Sequence, residues 1–272
     1  MNKKKALAWL LCTIMTLVMM TGCGTAESEP ADQTSASGKT TFTVGFDADF
    51  PPYGYVDENG DYVGFDLDLA KEVADRNGWE LKLQAIDWDS KDMELSSGTI
   101  DCIWNGFTMS EDRLDDYTWS EPYVDNSQVF VVAKDSGIST LADLKGKNVV
   151  VQTASSALEA LDAEENADLK ASFGSLDVVA EYNTAFMNLE AGASDAVAMD
   201  VGVAKYQIAS RGDAYVILDE LLSSEQYGIG FKKGNEALRD QVQKTLDEMV
   251  EDGTFGKIAE KWELSESVCL GE

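Results

Sequence analysis

The 272 residues contain no histidine. That excludes a Ser-His-Asp triad, a histidine general base and any histidine-ligated metal. Cysteine is scarce: four residues with no C-x-x-C spacing do not make a zinc site. Cationic side chains are few, with 21 Lys+Arg against 50 Asp+Glu, a formal charge of −29. So acidic a surface repels phosphate backbones, which argues against nucleic acid as a partner. Apolar residues make up 44% and aromatics 9% of the chain, too many for a disordered or fibrous protein. At roughly 100–200 residues per domain, the length fits one or two domains with a real core.

The one long apolar run, residues 6–20, follows Lys3, Lys4 and Lys5. As a helix it would reach about 22 Å, short of the ~30 Å hydrocarbon core, so it reads as a leader rather than a permanent span. The run ends Met20-Thr21-Gly22-Cys23, which resembles a bacterial lipobox, with Met20 where leucine is usual. The resemblance implies cleavage after Gly22, diacylglycerol on Cys23 and an exported chain held on the extracytoplasmic face of the cell membrane. The alternative is ordinary signal cleavage with Cys23 incidental. Residues 24–40 hold no aromatic and no large aliphatic side chain. They cannot bury enough surface to order themselves, so 23–40 reads as a lipidated tether. The folded part is expected from Thr41.

Residues 41–46 alternate and are β-rich, a first strand. Asn59-Gly60 sets a hairpin between 53–56 and 62–65. Asp57-x-Asn59 glances at a calcium loop, but the glycine is misplaced and no glutamate closes it. A helix begins at Asp66, with Leu69, Ala70, Val73 and Ala74 on one face, and ends at Asn77-Gly78. Strands are expected at 129–133 and 148–152, with a short helix at 141–144. Asn235 opens a helix with Leu238, Val242, Leu246, Met249 and Val250 inward; Gly253 stops it, and Phe255, Ile258, Ala259 and Trp262 mark one more. Leu95-Ser96-Ser97-Gly98-Thr99-Ile100-Asp101 is echoed by Leu189-Glu190-Ala191-Gly192-Ala193-Ser194-Asp195. Each reads as a helix end, a glycine cap and a buried strand, suggesting two α/β lobes of related construction. Coincidence is the alternative, since helix-glycine-strand is a common sequence of elements.

Gly64-Phe65-Asp66-Leu67-Asp68-Leu69-Ala70-Lys71-Glu72-Val73-Ala74 resembles the signature of the family 3 solute-binding proteins of ABC transporters, the polar amino-acid binders. Val44-Gly45-Phe46-Asp47-Ala48-Asp49-Phe50-Pro51-Pro52-Tyr53 resembles their first strand and ligand loop. Gly106-Phe107-Thr108-Met109-Ser110-Glu111-Asp112-Arg113 and Tyr227-Gly228-Ile229-Gly230-Phe231 continue the likeness, which spans 41–265. It implies an α/β, bilobed type II periplasmic-binding-protein fold: two open α/β lobes joined by two crossovers. Lobe 1 would be 41–124 plus 227–272 and lobe 2 would be 125–226, closing on a ligand by hinge motion.

A free amino acid needs a cation for its carboxylate and an anion for its ammonium. Arg113 is suited to the carboxylate because its fork holds two oxygens. It follows Ser110, which reads as a helix N-cap; a surface arginine is the bland reading. Asp200 follows the apolar run 196–199 and would face the ammonium, where the resemblance also sets it; otherwise it caps a helix. Gly106 would add a carbonyl, and Thr108 belongs to the same element. Ser155 or Ser156 would cap a helix and offer N–H groups; the family pattern has glycine at Ser156. Phe50 and Trp88 fall where the resemblance puts aromatic walls, with ordinary core as the alternative for Trp88, whereas Tyr53 and Trp104 read as core or rim. Selectivity would fall to Asp47, Gln152 and Met199, with Asn105 facing the cleft. Gln152 stands where glutamine binders carry lysine, which points away from an acidic ligand and toward a polar neutral, cationic or sulfur-containing one.

Cys102 and Cys269 would both lie in lobe 1, as a disulfide or as two thiols. No metal or cofactor is expected. The expected function is capture of a polar L-amino acid and delivery to permease subunits, by a monomer and without catalysis. The rival readings are an exported dehydratase on the same fold, similar to cyclohexadienyl dehydratase, or a sensor subunit. A one-chain sensor would need a membrane or kinase segment, which does not follow residue 262.

Overall fold

The structure, a computed structural model, describes residues 40–271. The leader, Cys23 and the tether to residue 39 lie outside the described residues.

The first half of the fold is laid down by β1 (Thr41–Phe46), β2 (Asp49–Phe50), β3 (Gly54–Val56), β4 (Tyr62–Val63), α1 (Phe65–Asn77), β5 (Glu80–Ala85), α2 (Lys91–Ser97), β6 (Cys102–Thr108) and β7 (Tyr117–Trp119). The expected hairpin forms as β3-β4, which β2 extends to a small antiparallel sheet. Its five-residue loop is organised by Asp57, whose Oδ1 accepts from the N–H groups of Asn59 and Asp61, both at 2.9 Å. Helix α1 starts one residue before Asp66, with Gly64 as its N-cap. Its apolar stripe packs on the sheet as expected, and Gly78 caps it in the left-handed conformation.

The second half runs β8 (Val124–Ala133), β9 (Asn148–Gln152), α3 (Ser156–Asp162), α4 (Ala167–Ser172), β10 (Ser175–Val179), α5 (Tyr182–Glu190), β11 (Ala196–Asp200), α6 (Val201–Arg211), β12 (Tyr215–Ile217) and β13 (Ser223–Lys232). The segment 141–144 is a 3-10 turn. Helices α7 (Glu236–Glu251) and α8 (Thr254–Lys261) pack back against α1.

All the main strands share one sheet, ordered β10-β9-β11-β8-β13-β6-β1-β5. Two parallel trios, β5-β1-β6 and β10-β9-β11, form its ends. The ten-residue strands β8 and β13 join them. Residues 124–128 of β8 pair antiparallel with 223–227 of β13; beyond that the strands diverge, β8 toward β11 and β13 toward β6. These are the two crossovers of a bilobed α/β fold.

The internal echo has a structural counterpart. Gly98 and Gly192 both take positive φ, 80° and 69°, after α2 and α5. Asp101 then accepts from Thr43 N–H at 2.7 Å, and Asp195 from Asn148 N–H at 2.8 Å. In each lobe the motif's aspartate ties its strand to the start of the neighbouring parallel strand. Apolar packing is continuous between lobes: Phe50, Tyr53 and Trp104 share one cluster with Val129, Val150, Tyr182 and Met199.

Candidate functional site

Both expected charges are buried, one in a turn that follows a buried strand and one at a strand's end. Arg113 closes a 3-10 turn after β6 and is only 7% exposed. The turn spans three residues, and Ser110 at its N-cap makes no side-chain capping bond. The N–H array expected behind Arg113 is therefore a single 3-10 turn. The guanidinium lies 5.1 Å from the Phe107 ring and reaches across to the other lobe. It donates to Ser156 Oγ at 3.3 Å and Ala154 O at 3.5 Å, and pairs with Glu159 on α3. Arg113 Nη1 also donates to Thr108 O at 3.4 Å.

Asp200 ends β11 at 3% exposure. It does not cap α6 with its side chain. Its Oδ1 accepts from Asn126 Nδ2 at 2.8 Å, Gln128 Nε2 at 2.7 Å and Tyr227 Oη at 2.6 Å; Oδ2 accepts from Tyr182 Oη at 3.4 Å. The same two amides donate to Glu225 Oε1, at 2.7 and 2.8 Å. Burial, and then the charge of Glu225, push the Asp200 carboxyl up to about 7. Thr108 Oγ1 donates to Glu225 at 2.7 Å. A continuous polar chain thus runs Glu159–Arg113–Thr108–Glu225–Asn126/Gln128–Asp200, leaving one lobe at Glu159, passing through Arg113 and Thr108 of the other and returning to Asp200.

Strand register builds this chain. Glu225 sits opposite Asn126, Ser223 opposite Gln128, and Gln128 opposite Asp200. Alternation along β8 puts Asn126 and Gln128 on one face.

Gly106 has φ +54°, and a Cβ there would lie 2.7 Å from Phe50 Cε1 and 3.0 Å from Tyr227 Cε2. Only glycine lets the two rings close over that backbone. Its N–H donates to Asp66 Oδ2 at 2.7 Å. Asp66 is fully buried, and burial pushes it up to about 7. The carboxylate read as a helix-end charge anchors the site strand instead.

Asp47 and Gln152 meet across the lobes, Gln152 Nε2 donating to Asp47 Oδ2 at 2.7 Å and to Ala180 O at 3.0 Å. Asn105 stands behind Asp47, its Oδ1 accepting Asp47 N–H at 3.0 Å, and is buried rather than open to the cleft. Burial raises Asp47, with Glu181 and Asp87 adding to the effect. Burial likewise raises neighbouring Asp49 to about 6. These carboxylates line a cleft of about 1040 Å³ that also presents Asp57, Glu58, Glu94 and Arg211. Neither Arg113 nor Asp200 lines it.

Trp88 is half-buried, edge-on to Phe107 at 5.7 Å with Lys91 Nζ 5.2 Å from its ring. The Arg113 guanidinium also lies against the Phe107 ring, at 5.1 Å. Met199 is fully buried in the apolar cluster, as are Tyr53 and Trp104. Ser155 caps α3, its Oγ accepting Leu158 N–H at 3.2 Å. The residue of that loop in the left-handed region is Ala154, φ 51°; Ser156 is the first helical residue. Cys102 lies buried in β6, and Cys269 N–H donates to Tyr123 O at 3.1 Å. Among the described residues, no group of three or more acidic or cysteine side chains is placed to hold a metal.

Sequence reading did not single out Glu159, Glu225, Asn126, Gln128, Tyr182 or Tyr227 as site residues. The available signal was the Asn126-x-Gln128 alternation next to an apolar strand.

The chain is similar to the arginine-binding extracellular protein ArtP of Bacillus subtilis (strain 168), 31% identical over 93% of this chain and 97% of the relative. It is similar also to the L-cystine-binding protein TcyJ of Escherichia coli (strain K12), 30% identical over 82% of each. Among solved structures, it resembles an ABC uptake transporter substrate-binding protein from Streptococcus pneumoniae with bound histidine. That match has a TM-score of 0.78 and 32% identity, and covers 82% of this chain and 92% of the other. The profile of the bacterial extracellular solute-binding proteins, family 3, matches residues 42–265, and the chain belongs to that family.

Proposed function

We propose that this protein captures a free L-amino acid between its lobes and delivers it to the permease subunits of an ABC importer. One observation carries the reading. Arg113, a buried guanidinium on one lobe, reaches the other lobe and lies at the far end of a continuous polar chain from Asp200. Those are the two opposite charges that a zwitterion requires, held on a turn and at a strand end and linked through the crossovers. The related proteins with arginine, cystine and histidine as ligands share this need.

The carboxylates around Asp47 favour a neutral or cationic polar side chain, or cystine, over glutamate or aspartate. An acidic side chain brought there would be desolvated beside like charges. Phe50, over Gly106, supplies an apolar wall. Lobe 1 comprises 41–124 with 227–272, and lobe 2 comprises 125–226. The protein works as a monomer and as a binder rather than an enzyme, so incubation with prephenate-like acids should give no turnover. Catalytic turnover would overturn this reading.

The Cys23 motif supports a lipid anchor on the extracytoplasmic face of the membrane. Cys23→Ser should shift the protein from the membrane fraction to the soluble one, because it removes the acyl attachment. A variant that stays membrane-bound would rule out the anchor. The binding reading itself is tested by thermal shift over the common L-amino acids and cystine. A ligand at 100 times its dissociation constant stabilises by about 2.7 kcal/mol.

A further inference from the structure

Helix α5 has no side-chain cap of its own. Glu181, its N-cap residue, makes no capping bond, and its first turn holds no acidic side chain. The first N–H groups of a helix need acceptors and favour an anion. Asp49 supplies both from the opposite lobe. Its Oδ2 accepts Asn183 N–H at 3.0 Å, and its Oδ1 accepts from Asn183 Nδ2. An N-cap aspartate makes the first of these bonds to the second residue of its own helix. Here the partners are 134 positions apart in sequence.

The surrounding groups hold the carboxylate in place. Asp49 N–H donates to Asp47 Oδ1 at 2.8 Å. Asp47 Oδ2 accepts from Gln152 Nε2, which also donates to Ala180 O just before α5. Beside Asp49, the Phe50 ring lies 6.0 Å from that of Tyr182, the first residue of α5. The two residues of β2 therefore clasp one helical turn, Phe50 against the buried Tyr182 and Asp49 against the exposed Asn183.

We propose that Asp49 is a positioning residue for ligand capture: it caps α5 from across the cleft, so the cap is made when the lobes close and lost when they part. The proposal rests on the amino-acid reading above.

Both Asp49 oxygens are committed to α5, so the residue acts on closure rather than through the ligand. Its partner stands on the other side of the crossovers, and bending β8 and β13 separates the two. In the open form, water solvates both the carboxylate and the α5 N–H groups. The gain on closing is therefore the modest one of a partly exposed cap. It raises the closed fraction of the liganded protein, and apparent affinity rises with that fraction. The effect is common to all ligands, because the cap lies outside the polar chain from Arg113 to Asp200.

The test compares wild type, Asp49→Ala and Asp49→Asn, with L-arginine, L-histidine, L-glutamine and L-cystine as calorimetric probes. Amide exchange at Asn183, followed by NMR with and without each probe, reports the cap itself. Asp49→Ala should bind every accepted probe about 3- to 10-fold more weakly, by one common factor. Its Asn183 amide should exchange faster than in wild type. Asp49→Asn should stay within about 2-fold of wild type, because asparagine caps a helix as well as aspartate does. A role for the Asp49 charge at the ligand would instead weaken both variants alike, and unequally among probes. Either result overturns the proposal, as does wild-type affinity in Asp49→Ala. If no probe binds wild type, the amino-acid reading falls and the exchange decides the cap. Faster exchange in Asp49→Ala upholds it; equal rates overturn it in either case.

Discussion

Arg113 bears the heaviest single load in this account, because no other described cation lies in the polar chain that links the lobes. Arg113→Ala should abolish amino-acid binding while the protein stays folded. Truncating one partner of a buried, hydrogen-bonded charge pair costs roughly 2–5 kcal/mol, more than tenfold to thousands-fold in affinity. Calorimetry showing wild-type affinity in a folded variant would contradict the role. Asp200 makes a second prediction at this scale. An unfolded aspartate titrates near ~3.9, whereas Asp200 in the fold is pushed up to about 7 by burial and by Glu225. Between these values the folded chain holds a proton that the unfolded chain has released. Stability from this group is therefore full below the unfolded value and falls as pH rises toward 7. Asp66, raised to about 7, and Asp49, raised to about 6, act with the same sign. Ligand-free melting temperature should drop from pH 5 to pH 8, and Asp200→Asn should flatten the slope. An ammonium beside Asp200 favours its charged form, so binding near pH 7 should release protons. Binding enthalpies that do not vary with the buffer's heat of ionisation would refute that linkage.

Among the elements, β6 is the most constrained. Gly106 has to be left-handed, lie close under Phe50 and Tyr227, and give its N–H to Asp66. Gly106→Ala should destabilise the fold by at least about 2 kcal/mol, from the left-handed strain and the overpacking together. Urea unfolding measures this, and an unchanged midpoint would show that the rings can move aside. Most elements were legible in the sequence because they are local. The α1 stripe, the α7 face and the paired L-x-x-G-x-x-D segments carry their periods and caps within a dozen residues. The polar chain was not legible, because its register comes from long-range pairing. Residues 223–226, Ser-Ser-Glu-Gln, carry no apolar alternation, so nothing local marks them as the first part of β13. Only the pairing with β8 puts Glu225 opposite Asn126 and within reach of Asp200's amide donors. Glu159 was hidden for a similar reason: it sits in the first turn of α3, where an acid suits any helix. Asp66 was legible as a helix-start residue but not as an anchor, since Gly106 is 40 positions away.

In the whole molecule, two parallel trios hang on one antiparallel pair, β8 and β13. Opening the lobes requires those strands to flex near residues 124–128 and 223–227, where the amides and Glu225 also sit. On the proposed reading, the stretch that closure bends also carries the groups that hold Asp200. On the same reading, the acidic surroundings of Asp47 should bias closure against ligands with acidic side chains. The most direct test is calorimetric titration of the purified protein with each common L-amino acid and cystine, alongside Arg113→Ala. The account predicts stoichiometric binding of a neutral or cationic polar amino acid, or of cystine. Glutamate and aspartate should be clearly weaker, and no binding should remain in the variant. Tightest binding of glutamate, or binding that survives the loss of Arg113, would contradict it.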